Sequence, residues 1–93
     1  MKYLAGLALS YRMLQQYEAA VGVYSFMALL EPAEPQHQLS IAENLLLQGE
    51  TKDARDTLAL VMRFCQEHSG HEKVGERAKA IALLLSSRTS DAA

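Results

Sequence analysis

What the chain has little of narrows its function before any motif is read. Its one cysteine, Cys65, leaves no internal disulfide open to it, and a reducing cytoplasm is the expected compartment. It has no excess of positive charge: 9 Lys and Arg are interspersed with 11 Asp and Glu, for a net charge of −2. Nucleic acid and anionic membrane surfaces call for a basic face, so neither is expected as a partner. No apolar run approaches the ~20 residues that a membrane span needs. The apolar opening is interrupted by Ser10, Arg12, Gln15 and Gln16, with no small-residue cleavage site after it, which argues against a signal peptide. Period-2 alternation never lasts four residues, which excludes strands. The five glycines are scattered and form no phosphate-cradling loop.

What is present is a repeat. Leu7, Ala8, Tyr11, Ala20 and Tyr24 return 34 positions later as Ile41, Ala42, Leu45, Ala54 and Leu58. A period of 34 with small residues at fixed places marks a helix–turn–helix unit that stacks into an α-solenoid, the tetratricopeptide class. Ala8 and Ala20 are placed where the two helices of a hairpin approach closely, and Ala42 and Ala54 repeat the device. Tyr11, Tyr24, Leu45 and Leu58 are placed between hairpins. The expected fold is all-α, with two hairpin repeats and a C-terminal capping helix.

Local signals divide the chain into five helices. The first two run from about Lys2 to Leu14 and from about Tyr17 to Leu30. The turn Glu31-Pro32-Ala33-Glu34-Pro35 ends the second, because proline removes a donor and disfavours helix in the residue before it. The third starts near Pro35, suited to a first-turn position, and ends at Gln48 with Gly49 as C-cap. Thr51 is the expected N-cap of the fourth, which runs to about His68 before Ser69-Gly70. The fifth spans roughly Glu72 to Ser86, with Val74, Ala78, Ile81, Ala82 and Leu85 on one stripe and a charged opposite face, as a cap requires. Repeat 1 thus covers about 1–34, repeat 2 about 35–68 and the cap about 72–86. The domain is 1–86, and the small polar tail 87–93 is expected to be disordered.

The first helix is apolar around most of its circumference, through Tyr3, Leu4, Leu7, Ala8, Leu9, Tyr11, Met13 and Leu14. A helix of that kind is usually buried on several sides. The expectation is that something covers it: an upstream repeat, a partner protein or a second copy of the chain.

Candidate sites follow from the stacking geometry. The first helix of each hairpin lines the concave surface, which assigns Lys2, Ala5, Leu9, Arg12 and Met13 to one arc and Gln36, Leu39, Glu43, Leu46 and Leu47 to the next. Apolar residues mixed with a few charges suit a groove that takes an extended peptide; the competing reading is that Leu9 and Leu39 simply pack between adjacent helices. His68 and His71, with Glu67 and Glu72 nearby, invite a metal reading, but Ser69-Gly70 breaks the helix between them and no Cys/His set completes a tetrahedral site. Cys65 follows Leu60-Val61-Met62 and reads as a buried, inert thiol. Glu43 alone, without an acid, nucleophile or oxyanion donor, is not a catalytic site. No enzyme, metal or cofactor is expected.

Tyr17-Glu18-x-Ala20, Tyr24-Ser25-Phe26-x-Ala28, Glu34-Pro35, Ile41-Ala42-Glu43-x-Leu45, Gly49 and Ala54 resemble the C-terminal two-thirds of class II type III secretion chaperones. These are small tetratricopeptide proteins that escort the hydrophobic translocators of bacterial injection systems. The resemblance covers about residues 3–86. It departs at Asn44, where the family usually has cysteine, and at Met27, where it has a small residue; the family's N-terminal helical region and first repeat have no counterpart. The resemblance implies a cytoplasmic bacterial chaperone whose groove holds an extended translocator segment and keeps it soluble before export. Carried over position by position, the peptide-binding residues are Ala5, Leu9, Arg12, Gln36, Leu39, Glu43 and Leu46. A homodimer through the first helix, a generic tetratricopeptide interaction scaffold and a purely structural subunit remain the alternatives. A clamp for C-terminal carboxylates is disfavoured, since its concave Lys and Asn are replaced by Ala5, Leu9, Leu39 and Glu43.

Overall fold

The computed structural model describes residues 2–92, and side chains as far as residue 87. Five helices follow one another: α1 (Lys2–Met13), α2 (Tyr17–Leu30), α3 (Pro35–Gln48), α4 (Thr51–Glu67) and α5 (Glu72–Ala92). Each packs against the next, and α5 also reaches back to α3. The result measures 41 × 33 × 17 Å between Cα extremes, a slab two helices deep.

The boundaries have local causes. Helix α3 starts at Pro35 behind Glu34, whose carboxylate Oε1 accepts the Gln36 N–H at 3.2 Å. The α2–α3 turn is pinned by the buried His37, whose Nε2–H donates to Glu31 Oε1 at 2.7 Å. Gly49 ends α3 in the left-handed conformation at φ 89°. The N-cap of α4 is Glu50, with no side-chain cap bond, and the expected cap Thr51 is already the first helical residue. Helix α1 stops at Met13, one residue short of expectation, because Gln15 turns left-handed at φ 62°. Helix α5 runs past the expected end at Ser86; most of the tail expected to be disordered, 87–93, has its side chains, and at Ala93 its backbone, outside the described residues.

The four repeat alanines do what their spacing requires. Ala8, Ala20, Ala42 and Ala54 are all fully buried, so helices meet closely at each. The large core lies toward the C-terminal end, where Leu39, Ala42, Leu58, Val61, Ala78 and Leu85 form one cluster with Val74, Ile81 and Ala82 packed against it. Helix α5 therefore presents the apolar stripe that the sequence assigns to it. Its approach to α4 is close: a Cβ on Gly75 would stand 3.0 Å from the Cys65 Cβ. Arg55 adds a bond from its Nη2 to the Leu85 carbonyl at 3.4 Å.

Candidate functional site: the concave trough

The candidate inner wall consists of one stripe per helix. On α1, Lys2, Gly6, Leu9 and Met13 recur at i, i+4, i+7 and i+11 and are all exposed. On α3 the same stripe, one repeat later, is Gln36, Ser40, Glu43 and Leu47, of which Gln36 and Leu47 are exposed and Ser40 and Glu43 partly covered. On α5 the next residue in register is Arg77, whose Nη2 donates to Glu43 Oε2 at 2.6 Å across one repeat period. Leu9, Glu43 and Arg77 thus hold one repeat position on three helices, and the Glu43–Arg77 pair bridges α3 and α5. From Arg77 the α5 wall continues through the exposed Lys73, Ala80 and Leu84.

The stripe carries apolar anchors and a few polar groups. Leu9 is 49% and Leu47 47% exposed, and Met13 more so. Gln36 Nε2 donates to Ser40 Oγ at 3.2 Å and so holds two polar side chains against the α3 surface. Glu43 is largely covered, at 14% exposure, whereas Arg77 is 63% exposed and keeps donors for a second partner.

The residues singled out from sequence divide. Ala5, Leu9 and Gln36 are exposed, and Arg12 and Glu43 are half-buried along the trough. Leu39 does not line it. Its side chain is 0% exposed and sits in the core cluster with Leu58, Val61, Ala78 and Leu85. On a helical wheel Leu39 lies only about 40° around α3 from Glu43, but on the side toward α5, and α5 closes over it. Leu46, further around on that side, is partly buried against the same cluster. The reading in which Leu39 packs between helices is therefore the correct one for that residue, and Leu9 remains open.

Sequence reasoning gives α5 only a capping role and so misses the Arg77–Glu43 contact and the exposed stripe Lys73, Arg77, Ala80 and Leu84 that continues from it. The signal was present, since Arg77 follows Leu9 and Glu43 at the same period of 34. It also places the all-round apolar surface on the first helix alone, whereas α2 leaves Phe26, Leu29 and Leu30 exposed. Leu29 borders a cleft of about 380 Å³ with Ser25, Ala28, Gln38 and Ile41.

The remaining candidates are structural. His68 stacks on Phe64 with ring centroids 4.1 Å apart, and His71 meets the same ring at 5.6 Å, tilted. Among the described residues no three His, Cys, Asp or Glu side chains gather as a metal site. Cys65 is half-buried; burial first, and the Glu72 carboxylate second, push its thiol above the ordinary value, the reverse of an activated nucleophile. Glu72 itself is held below its ordinary value by the backbone N–H groups of Gly70 and of its own residue. Among the described residues no helix is long and apolar enough to cross a membrane.

Neither a protein-family model nor a curated protein matches the sequence. Solved structures do. PcrH from Pseudomonas aeruginosa superposes with a TM-score of 0.79 at 27% identity, over 91% of this chain and 64% of PcrH. PcrH in complex with the chaperone-binding region of PopD gives 0.81 at 27% identity, over 95% of this chain and 66% of PcrH. SycD, the type III secretion translocator chaperone of Yersinia enterocolitica, gives 0.79 at 24% identity, over 89% of this chain and 62% of SycD. The structural neighbours are thus type III secretion translocator chaperones, and the all-helical repeat fold is theirs. The chain spans slightly less than two thirds of each neighbour's length.

Proposed function

We propose that the chain is a translocator chaperone of type III secretion, holding an extended segment of a hydrophobic translocator in its concave trough before export from the bacterial cytoplasm. One observation carries the reading most of the way: PcrH complexed with a PopD segment superposes on 95% of this chain. The trough supplies the matching physics. Leu9, Met13 and Leu47 stand exposed on its wall, with Met13 and Leu47 at the same position of successive repeats, where they can serve as apolar anchors for a bound segment. A bound segment buries these side chains and pays its ordering entropy as it does so.

The test is co-expression with a candidate translocator. Leu9→Glu or Leu47→Glu should weaken the soluble complex by roughly tenfold or more, since each places a charge where an apolar anchor docks. Both positions are about half exposed, so circular dichroism should show an unchanged helical fold. A complex indifferent to both substitutions would remove the trough from the mechanism. Leu39→Glu is unsuitable, because a carboxylate in the closed core unfolds the chain whatever its function.

A second reading, an assembly surface, is favoured by the apolar groups away from the trough. Tyr3 on α1, Leu14 just after it, and Phe26, Leu29 and Leu30 on α2 are each at least half exposed. The chain alone should then self-associate through this face, as a homodimer or larger species. Light scattering that finds a folded monomer at high concentration would sink it.

A further inference from the structure

We propose that the segment taken by the trough is acidic as well as apolar, with its carboxylates read by Lys73 and Arg77 at the α5 end. The inference rests on the trough being the binding site. It starts from a charge distribution that the net charge conceals. The chain carries −2, yet the trough holds four of its nine Lys and Arg residues, Lys2, Arg12, Lys73 and Arg77, and one of its eleven acids, Glu43. Helix α1 has no acidic residue, and Glu43 is the only acid within α3. That carboxylate is covered and already bonded to Arg77. Of the acids in α5's first turns, Glu72 lies about 140° around the helix from Arg77, while the exposed Glu76 lies about 100° from Arg77 and about 60° from Lys73, at the edge of the stripe. The inner wall is therefore positive in a chain whose outer surface is negative, and a concave wall of one sign concentrates ligands of the other.

Charged and apolar groups are mixed at both ends of the trough. The α1 end sets Lys2 and Arg12 beside Leu9 and Met13, and the α5 end sets Lys73 and the Glu43-bonded Arg77 beside Ala80 and Leu84. Arg77 suits the task because Glu43 engages one of its nitrogens and fixes the guanidinium, leaving further donors for a second carboxylate. Lys73, one turn earlier on the same face, is exposed. A nucleic acid would meet the same positive field. However, Leu9 and Met13 give it no aromatic surface for base stacking, which favours a peptide.

The test uses the full chain and two labelled synthetic peptides of about ten residues. Both carry Leu anchors at one end; the other end carries Glu in one peptide and Gln in the other. Fluorescence anisotropy should show the Glu peptide binding roughly tenfold tighter at low salt, the combined effect of two partly exposed ion pairs. The advantage should shrink as ionic strength rises. Lys73→Gln should remove part of it while leaving the Glu43–Arg77 pair intact. Equal binding of both peptides would overturn the acidic preference and leave the trough reading standing. Binding of neither would overturn both. A single-stranded oligonucleotide that binds more tightly than the Glu peptide would overturn the inference in favour of nucleic acid.

Discussion

The two hairpins are copies in sequence and opposites in packing. Helices α1 and α2 bury only Ala8, Ala20 and Met27, while α3 and α4 bury Leu39, Ile41, Ala42, Leu58 and Val61 among others. The difference is the neighbour. Helix α3 is held on one side by α2 and on the other by α4 and α5, whereas α1 packs against α2. The same repeat position shows it most plainly. Leu39 is sealed in the core, but Ala5, its counterpart one repeat earlier, is exposed. A second pair agrees. Ser10 donates to the Gly6 carbonyl at an exposed site, and Asn44, its counterpart, donates to the Ser40 carbonyl with its own Oδ1 buried and unpartnered. Stability in a stacked repeat comes from interfaces between units as well as within them, so the unit with fewer interfaces is the weaker one.

The largest effect that can break this comparison is at Leu39. Leu39→Ala should cost about 2–5 kcal/mol of unfolding free energy, because it opens a cavity among fixed neighbours. Leu9→Ala, on the open wall of α1, should stay within about 0.5 kcal/mol. Urea denaturation of the two variants measures both. Equal losses would mean that the front hairpin is as closely packed as the rear, and the asymmetry described above would be wrong.

How much of this was legible in the sequence follows the same division. The order of the five helices, the Pro35 start and Gly49 end of α3, the four buried alanines and the capping stripe of α5 are set by local residues and by period, and each was readable; the ends of α1 and α5 and the cap of α4 were not. The inner wall was readable only in outline. Period places Leu39 and Glu43 one helical turn apart on nearly the same face, and no local rule says which of the two a later helix will cover. Coverage by α5 is a tertiary fact, and it moved Leu39 and Leu46 from wall to core. The same fact set Arg77 against Glu43. Continuing the count from Leu9 through Glu43 for one more period would have found it. The exposed Phe26, Leu29 and Leu30 were hidden by a different cause: α2 is apolar all round, so its sequence gives no direction to its buried face.

A smaller effect sharpens the comparison at the ends of α1 and α3, which close in the same way. Gly49 donates to the Leu46 carbonyl at 3.0 Å and Glu50 to Leu45 at 2.8 Å; at the matching positions of the front repeat, Gln15 donates to Arg12 at 2.9 Å and Gln16 to Tyr11 at 2.8 Å. This is the Schellman closure, which needs a left-handed residue at its centre. The rear repeat puts glycine there at φ 89°, and the front puts glutamine at φ 62°. A side chain in that conformation costs roughly 1–2 kcal/mol, partly offset by the smaller entropy it loses on folding. Gln15→Gly should therefore stabilise the chain by about 0.5–1 kcal/mol. Gly49→Ala should destabilise it by about 1 kcal/mol, and for a purely conformational reason, since nothing lies within 4 Å of the added Cβ. Urea midpoints moving in opposite directions would show that the front hairpin carries strain at a joint the rear hairpin makes without it. A midpoint lowered by Gln15→Gly would show instead that the glutamine side chain makes up for its backbone.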